Sequence, residues 1–155
     1  LFRSALVDLI AYEENRTGLI FDYVIDFDVT SPLRKAADVL NALEIIQNAS
    51  EALNLITVSK ASRNPYFNMV EEKKNGFYDV CLKKDPPIFS RQSAPQVYDM
   101  NSNFYIFKKA YFDSDFEGSL TDSTLIYEIE HPCYDIDEPL DFEFVEFLIQ
   151  KELVK

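Results

Sequence analysis

The sequence predicts an α/β domain built on an open sheet, and two observations support this fold class. The first half of the chain alternates helical and strand patterns, and strands linked by helices favour a sheet with right-handed crossovers. The chain has 155 residues, of which 47% are hydrophobic, and this is enough for one domain with a buried core. We therefore expect a single domain over residues 1–155.

The first two elements are a helix and a strand. Residues 1–15 place apolar side chains at helical spacing, which predicts an amphipathic helix. Residues 21–29 alternate in polarity, which predicts a strand with Asp26 and Asp28 on its more polar face. This strand is therefore expected to end in two acids.

The next two elements repeat this order. A helix is expected after the turn at Pro32, because proline is tolerated at a helix entry. Residues 54–60 are short and apolar, as a buried parallel strand would be. The expected buried stripe of the helix consists of Leu40, Leu43, Ile45 and Ile46.

Residues 62–102 have a different character from the rest of the chain. They hold four of the seven prolines, and two extended runs inside them are joined at Asn75–Gly76. An Asn-Gly pair suits the tight turn of a β-hairpin. We therefore interpret residues 62–102 as an inserted, β-rich arm on the α/β domain.

The last part of the chain returns to core elements. Residues 104–112 and 123–130 predict apolar strands. A final helix is expected from about Pro139, which is tolerated in a first helical turn. Its expected buried face consists of Leu140, Phe144, Phe147 and Leu148, widened by Val145 and Ile149.

Composition and charge exclude several classes of function. The net charge is −12, so binding to nucleic acid or to an anionic membrane surface is not expected. Three glycines leave no glycine-rich phosphate loop. Cys81 and Cys133 match no zinc spacing, and no apolar run reaches the length of a membrane span. We expect free thiols and a cytoplasmic protein.

Asp135 and Asp137 stand two residues apart, just before the final helix. Residues i and i+2 of an extended segment point to the same face, so the two carboxylates would lie side by side and repel each other unless a cation joins them. Mg²⁺ suits such a pair, and it usually also binds a substrate phosphate. The alternative is an acidic helix start that complements the helix dipole.

Three other groups have the chemistry of a binding site. Asp26 and Asp28 end a strand, where ligands of open α/β sheets bind, although they also fit a solvated strand end. Arg34 is either an anion clamp or a solvated residue at a helix start. Arg91 could bind a carboxylate or phosphate through two parallel hydrogen bonds, or it could form an ion pair at the surface.

Four segments taken together resemble the acylneuraminate cytidylyltransferases, the CMP-sugar acid synthetases. They are "DFDVTSPLRKAADV", "SRQSAPQVYDMN", "NFYIFKK" and "YDIDEPLDFEFVEFL". Their order and spacing match the family over nearly the whole chain. "DVTSPLR" and "VYDMN" look closer to the branch that acts on legionaminic acid and related bacterial surface sugars.

The resemblance implies a fold, a reaction and partners. The fold is a Rossmann-like, three-layer nucleotidyltransferase fold with a small dimerisation arm, here residues 62–102. The reaction transfers CMP from CTP to the anomeric hydroxyl of a nine-carbon 2-keto sugar acid and releases pyrophosphate. The implied cofactor is Mg²⁺, and the implied assembly is a homodimer whose arm reaches into the partner's site.

The resemblance also implies roles for individual residues. Asp135 and Asp137 would hold the metal, and Arg91 would hold anionic substrate at the catalytic site. Asn101 and Tyr105 would contact the sugar acid.

Three departures from the family pattern carry further expectations. An acid at Asp28 resembles the metal-binding aspartate at a strand end in other sugar nucleotidyltransferases, so Asp28 is a further candidate ligand. Asp99 stands where an arginine is common, which disfavours plain sialic acid. No segment matches the family's opening CTP loop, so we expect that a preceding segment carries it and that these 155 residues are inactive without it.

Two other functions remain open on the sequence alone. One is a glycosyltransferase that uses Asp26 and Asp28 as its metal pair, and it would release a nucleoside diphosphate in place of pyrophosphate. The other is a non-catalytic, acidic dimerising domain, which would show no Mg²⁺-dependent nucleotide binding.

Overall fold

The computed structural model describes residues 2–116 and 118–154 and divides into two compact units. Unit 1 comprises Leu1–Val58 and Met100–Lys155, and unit 2 comprises Ser59–Asp99. The elements, in chain order, are α1 (Phe2–Thr17), β1 (Tyr23–Phe27), α2 (Ala36–Asn48), β2 (Asn54–Lys60), β3 (Val70–Glu72), β4 (Tyr78–Val80), β5 (Tyr98–Lys108), α3 (Lys109–Phe112), β6 (Thr124–Glu128) and α4 (Pro139–Gln150).

A mixed four-stranded sheet in the order β1-β5-β2-β6 forms the centre of unit 1. β1 pairs with β5 in antiparallel orientation, and β2 pairs with β6 in parallel orientation. The first five residues of β2 are buried, as expected for an inner strand that is covered on both faces. The α/β class and the buried parallel strand predicted from the sequence are confirmed.

Both faces of the sheet carry a hydrophobic cluster, because successive side chains of a strand point to opposite faces. On β5, Phe104 and Ile106 join the cluster that includes residues of α2. Tyr105 and Phe107 contribute to the other cluster, which includes Ile10 of α1. The sheet is therefore the middle layer between helices.

The predicted strand over residues 104–112 is correct only in its first part. β5 begins earlier, at Tyr98, and ends at Lys108, and the next four residues form the short helix α3. The chain turns at this point because the Lys109 N–H bonds to the carbonyl of Asp22 and the Tyr111 ring packs 4.6 Å from that of Phe107. Tertiary contacts thus ended the strand where the apolar pattern continued.

The apolar stripes predicted for two helices are also only partly correct. In α2 the buried residues are Ala42 and Ile46, whereas Leu40 is 66% exposed. In α4 the buried residues are Val145 and Leu148. Both helices carry more apolar residues than one neighbouring layer can cover, so the surplus side chains lie at the surface. The large exposed side chains of α4 are Leu140, Phe142, Phe144, Phe147 and Ile149.

A third, smaller cluster holds α4 against the segment that follows β1. Leu33, Val145 and Leu148 are buried together, with Ile136 packed against them. Leu33 belongs to the "TSPLR" stretch, and Ile136 stands between Asp135 and Asp137. The cluster therefore brings the two acid-bearing segments of the sequence to one place.

Unit 2 contains the predicted hairpin. β3 and β4 pair in antiparallel orientation, and the connection closes through a hydrogen bond from the Gly76 N–H to the carbonyl of Lys73. Gly76 has a φ of 80°, a conformation that glycine adopts without strain. The connection is longer than a two-residue turn and has the glycine expected in such hairpins.

Across the described residues, the helices are too short or too polar to cross a lipid bilayer. Cys81 and Cys133 are both partly buried, and they are not joined in a disulfide in the described part of the chain.

Candidate functional site

The loop after β1 and the segment before α4 are joined by their backbones. The Ile136 N–H donates to the carbonyl of Thr30 at 2.8 Å. The Asn103 side chain on β5 donates to the carbonyl of Leu33 at 2.9 Å. These bonds fix Asp28 and Asp135 in neighbouring segments beyond the end of β1, which is where ligands bind in open α/β sheets.

Asp28 organises its own loop. Its Oδ1 atom accepts hydrogen bonds from the Thr30 N–H at 2.9 Å and from the Thr30 hydroxyl at 2.8 Å. The bond from the backbone N–H is the main reason that the pKa of Asp28 is lowered. Asp28 is therefore ionised at neutral pH, with its second oxygen left for another partner.

Asp26 has the opposite electrostatic character. It is half-buried on β1, and it faces Tyr105 across the antiparallel pair. Burial raises its pKa, and the charge of Asp28 raises it further, while Arg34 lowers it. The fold therefore disfavours the ionised form of Asp26.

The guanidinium of Arg34 lies in the centre of this acidic region. Its Nε atom donates to the carbonyl of Asn103 at 2.9 Å, and its Cζ atom lies 5.1 Å from the centre of the Phe27 ring. Burial lowers the pKa of Arg34, and the carboxylates of Asp28, Asp135 and Asp26 oppose that shift. The structure thus places an arginine among three aspartates that come from two distant segments.

Asp135 and Asp137 are exposed on either side of the packed Ile136, as an extended segment requires. Asp141 has a different role, because its Oδ2 atom accepts hydrogen bonds from the N–H groups of Asp137 at 3.0 Å and Glu138 at 2.8 Å. Asp141 therefore caps α4 and fixes the backbone of Asp137. The acidic cluster is divided between exposed carboxylates and a helix cap.

The donor set fits a magnesium ion that substrate completes. Among residues 2–116 and 118–154, no three side chains of the histidine, cysteine or acidic type are arranged to hold a metal. Mg²⁺ commonly takes only one or two carboxylates together with substrate phosphates and water. Exposed carboxylates on a fixed backbone match that requirement, and Asp135, Asp137 and Asp28 remain the candidate ligands.

Asn101 and Tyr105 both lie on β5. Asn101 is buried, and its Oδ1 atom accepts a hydrogen bond from the Asn103 N–H at 3.4 Å. The Tyr105 ring packs against Phe107 at 6.3 Å. Tyr105 is the cross-strand partner of Asp26, so it lies on the same face of the sheet as that acid.

Arg91 lies in unit 2, where it begins a short 3₁₀ turn (Arg91–Ser93). It lines a cavity of about 220 Å³ together with Lys60, Arg63, Asn64 and Gln96. None of the residues that line this cavity is acidic, although the whole chain has a net charge of −12. The cavity is therefore a concentration of positive charge that suits an anionic ligand.

Asn64 builds one wall of this cavity. Its carbonyl accepts hydrogen bonds from the N–H groups of Phe67, Asn68 and Met69, and its side chain donates to the carbonyl of Pro95 at 2.9 Å. The side chain thereby ties the loop after β2 to the loop that follows Arg91. Sequence reasoning selected Arg91 and overlooked Lys60 and Arg63. Lys60 ends β2 and Arg63 lies just after it, and neither belongs to a recognisable motif.

The raised pKa of Asp26 predicts a stabilising substitution. An acid with a folded pKa above its unfolded value of about 3.9 costs stability as pH rises through that range, and the cost is complete above the folded pKa. We expect Asp26→Asn to raise the Tm by about 2–4 °C at pH 7.5 and to have almost no effect near pH 3.

Thermal unfolding followed by circular dichroism across this pH range checks the prediction. Asp8→Asn, at an exposed acid on α1, is the matched control and should leave the Tm unchanged throughout. A Tm gain for Asp26→Asn that is equal at both ends of the range would contradict the electrostatic cause.

Two curated proteins are similar to this chain. Post-translational flagellin modification protein B from Campylobacter coli is 39% identical over 133 residues, which cover 85% of this chain and 54% of that protein. A CMP-N,N'-diacetyllegionaminic acid synthase from Campylobacter jejuni is 39% identical over 142 residues, which cover 92% of this chain and 59% of that protein. The chain therefore spans a little over half the length of these relatives.

Solved structures share the fold at low sequence identity. A CMP:2-keto-3-deoxy-manno-octonic acid synthetase complexed with CTP superposes with a TM-score of 0.60 at 12% identity and covers 97% of this chain and 68% of that chain. A 4-diphosphocytidyl-2C-methyl-D-erythritol synthase from Anaerococcus prevotii has a TM-score of 0.57 at 14% identity, and the match covers 90% of this chain and 64% of that chain. No family model matches the chain. The nucleotidyltransferase fold and the resemblance to CMP-sugar acid synthetases are confirmed.

Proposed function

We propose, from its homology to a legionaminic acid CMP-synthase and from its nucleotidyltransferase fold, that this chain is part of a cytidylyltransferase. The reaction would transfer CMP from CTP to the anomeric hydroxyl of a nine-carbon 2-keto sugar acid. The hydroxyl oxygen forms a bond to the α-phosphorus and loses its proton, and the bond from that phosphorus to the pyrophosphate group breaks.

The observation that carries this proposal is the joining of two acid-bearing segments beyond β1. The bond between Ile136 and Thr30 joins the segment that carries Asp28 to the segment that carries Asp135 and Asp137. Phosphoryl transfer depends mainly on positioning and on neutralising the charge of the phosphates. A cluster of fixed carboxylates supplies the means to bind a divalent cation for that purpose.

The candidate ligands of Mg²⁺ are Asp135 and Asp137, with Asp28 as a further ligand. When bound, the metal would neutralise charge on the phosphates of CTP. The chain's own contribution is to hold the carboxylates in place: Asp141 fixes the backbone of Asp137, and Thr30 fixes one oxygen of Asp28.

Arg91 and the other basic residues of the unit 2 cavity are proposed to bind the anionic sugar acid. A guanidinium binds a carboxylate with two parallel hydrogen bonds, and Lys60 and Arg63 line the same cavity. Asn101 and Tyr105 are proposed as further contacts of the sugar. The similarity to a legionaminic acid synthase supports a sugar of that class as the acceptor and the synthesis of surface glycans as the purpose.

Unit 2 is also proposed to supply the contact of a homodimer, as expected of the arm. Several of its large apolar side chains are exposed, and Phe89 is 85% exposed. Such side chains gain stability when a partner surface covers them. The others are Met69, Val70, Phe77, Tyr78 and Leu82. A cytoplasmic location, where CTP is available, stays a prediction.

The glycosyltransferase alternative is less well supported by the site. It needs both Asp26 and Asp28 as metal ligands, but burial disfavours the ionised form of Asp26.

The product released from CTP tests the function. The protein, produced together with the CTP-loop segment that the resemblance implies and incubated with CTP, Mg²⁺ and a legionaminic acid-type acceptor, is expected to release pyrophosphate and to form a CMP-sugar that mass spectrometry detects. Omission of the acceptor or of Mg²⁺ should abolish the release of pyrophosphate. Formation of a nucleoside diphosphate from a nucleotide sugar would support the glycosyltransferase, and absence of Mg²⁺-dependent nucleotide binding would support a non-catalytic domain.

A further inference from the structure

We infer that Arg34 is the resident counter-ion of the acidic site and offsets the charge of its carboxylates before any metal or nucleotide binds. This inference rests on the proposed metal site, but it assigns Arg34 a task different from that of a substrate clamp. The guanidinium would offset the charges of Asp28 and Asp135, which come from two distant segments.

The environment of Arg34 supports a fixed internal position. Its Nε atom is bound to the carbonyl of Asn103, and its guanidinium lies over the Phe27 ring. The preceding residue, Leu33, is buried with α4. A side chain anchored by a hydrogen bond, an aromatic ring and a packed neighbour has little freedom to follow a substrate.

One nitrogen of the Arg34 guanidinium has unused hydrogen-bonding capacity. Its Nη2 atom is buried and has no hydrogen-bond partner within the described part of the chain. The carboxylates of Asp28, Asp135 and Asp26 all act on its charge, yet none of them forms an ion pair with it within 4.0 Å among the described residues. The positive charge of Arg34 therefore acts on all three carboxylates, without forming an ion pair with any one of them.

The charge of Arg34 would offset the repulsion between the carboxylates before a metal binds. Three carboxylates brought together repel each other unless a cation is close. Arg34 supplies that cation permanently, because a guanidinium stays charged in proteins. Asp135 and Asp137 stay accessible to a metal ion, since both residues are exposed.

The counter-ion role predicts a specific link between Arg34 and metal binding. Arg34→Gln is expected to lower the Tm of the metal-free protein by about 5 °C. The variant should bind Mn²⁺ roughly three- to tenfold more tightly, because a positive charge that repels the metal has been removed. Saturating Mn²⁺ should therefore raise the Tm of the variant more than that of the wild type.

Two variants separate charge from packing. Arg34→Lys keeps the charge and should recover most of the lost Tm. Arg16→Gln removes the same charge from an exposed arginine paired with Glu13, and it should change neither the Tm nor the Mn²⁺ affinity. Mn²⁺ affinity is measured by electron paramagnetic resonance on the purified protein, and Tm is measured by circular dichroism.

Two outcomes would overturn the inference. An equal loss of Tm in Arg34→Lys and Arg34→Gln, with unchanged Mn²⁺ affinity, would show that only the hydrogen bond and packing of the guanidinium matter. An unchanged Tm together with a raised KM for CTP or for the sugar acid would make Arg34 a substrate ligand. Failure of the wild type to bind Mn²⁺ would contradict the proposed metal site alone, since the recovery of Tm by Arg34→Lys still tests the counter-ion.

Discussion

Replacing Asp137 with asparagine is expected to lower kcat for CMP transfer by about 100-fold or more, the range seen when one group that stabilises transition-state charge is lost. Asparagine has nearly the same shape as aspartate, but it cannot offer a charged oxygen to Mg²⁺. The side chain of Asp137 is exposed, so the Tm should stay within about 1 °C of the wild-type value. Turnover is measured as release of pyrophosphate at saturating CTP and sugar acid.

The start of α4 offers a matched control for this substitution. Glu143→Gln removes the same charge from the same helix, at an exposed position with no proposed role, and kcat should change by less than about twofold. Asp135→Asn is expected to behave as Asp137→Asn does. If Asp137→Asn turns over at the wild-type rate, Asp137 does not belong to the metal site. If both aspartate variants fail to fold, the segment before α4 has a structural task.

Replacing Arg91 with alanine is expected to raise the KM for the sugar acid by about 10- to 100-fold, because a hydrogen bond to a charged group contributes about 1.5–3 kcal/mol. The KM for CTP should change much less, since the cavity around Arg91 is proposed to bind the acceptor. Arg91→Lys should lie between the wild type and alanine, because lysine keeps the charge and loses the planar fork. Steady-state kinetics with each substrate varied in turn measures both values.

Lys83→Ala is the control for the Arg91 substitutions. Lys83 is also in unit 2 and also basic, but its ammonium pairs with Asp79 at the surface and does not line the cavity. The KM for the sugar acid should be unchanged in this variant. A larger change in the KM for CTP than for the sugar acid, after Arg91→Ala, would reassign the cavity to the nucleotide.

The sequence predicted the residues of the site only in part, and the division of the chain into two units shows why. The resemblance grouped Arg91 with Asp135 and Asp137 as parts of one catalytic site. The structure assigns Arg91 to unit 2 and the aspartates to unit 1. Within unit 2 it shows a basic cavity that the sequence did not predict, because Lys60 and Arg63 are separated from Arg91 by the whole hairpin. Spacing along the chain shows which residues are neighbours on one helix or strand. Contacts between loops can be seen only in the three-dimensional structure.

The acids around the start of α4 have two different roles, although they lie in one short stretch of sequence. Asp137 and Asp141 are chemically the same and only four positions apart. Asp141 accepts two backbone hydrogen bonds at the helix start, whereas the side chain of Asp137 stays exposed. The sequence left a metal site and an acidic helix start open for Asp135 and Asp137, and the structure shows that Asp141 and Glu138 form the capping box of the helix.

By itself, the sequence determined the α/β class, the buried strand β2, the hairpin of unit 2 and the resemblance to CMP-sugar acid synthetases. These properties follow from local periodicity, turn residues and motif order, all of which are written along the chain. Only the tertiary structure decided which apolar residues of α2 and α4 are buried, where β5 ends and why Arg34 lies among three aspartates. A helix or strand pattern states which side chains could be buried, but the neighbouring element decides which of them are covered, and that neighbour is distant in the sequence.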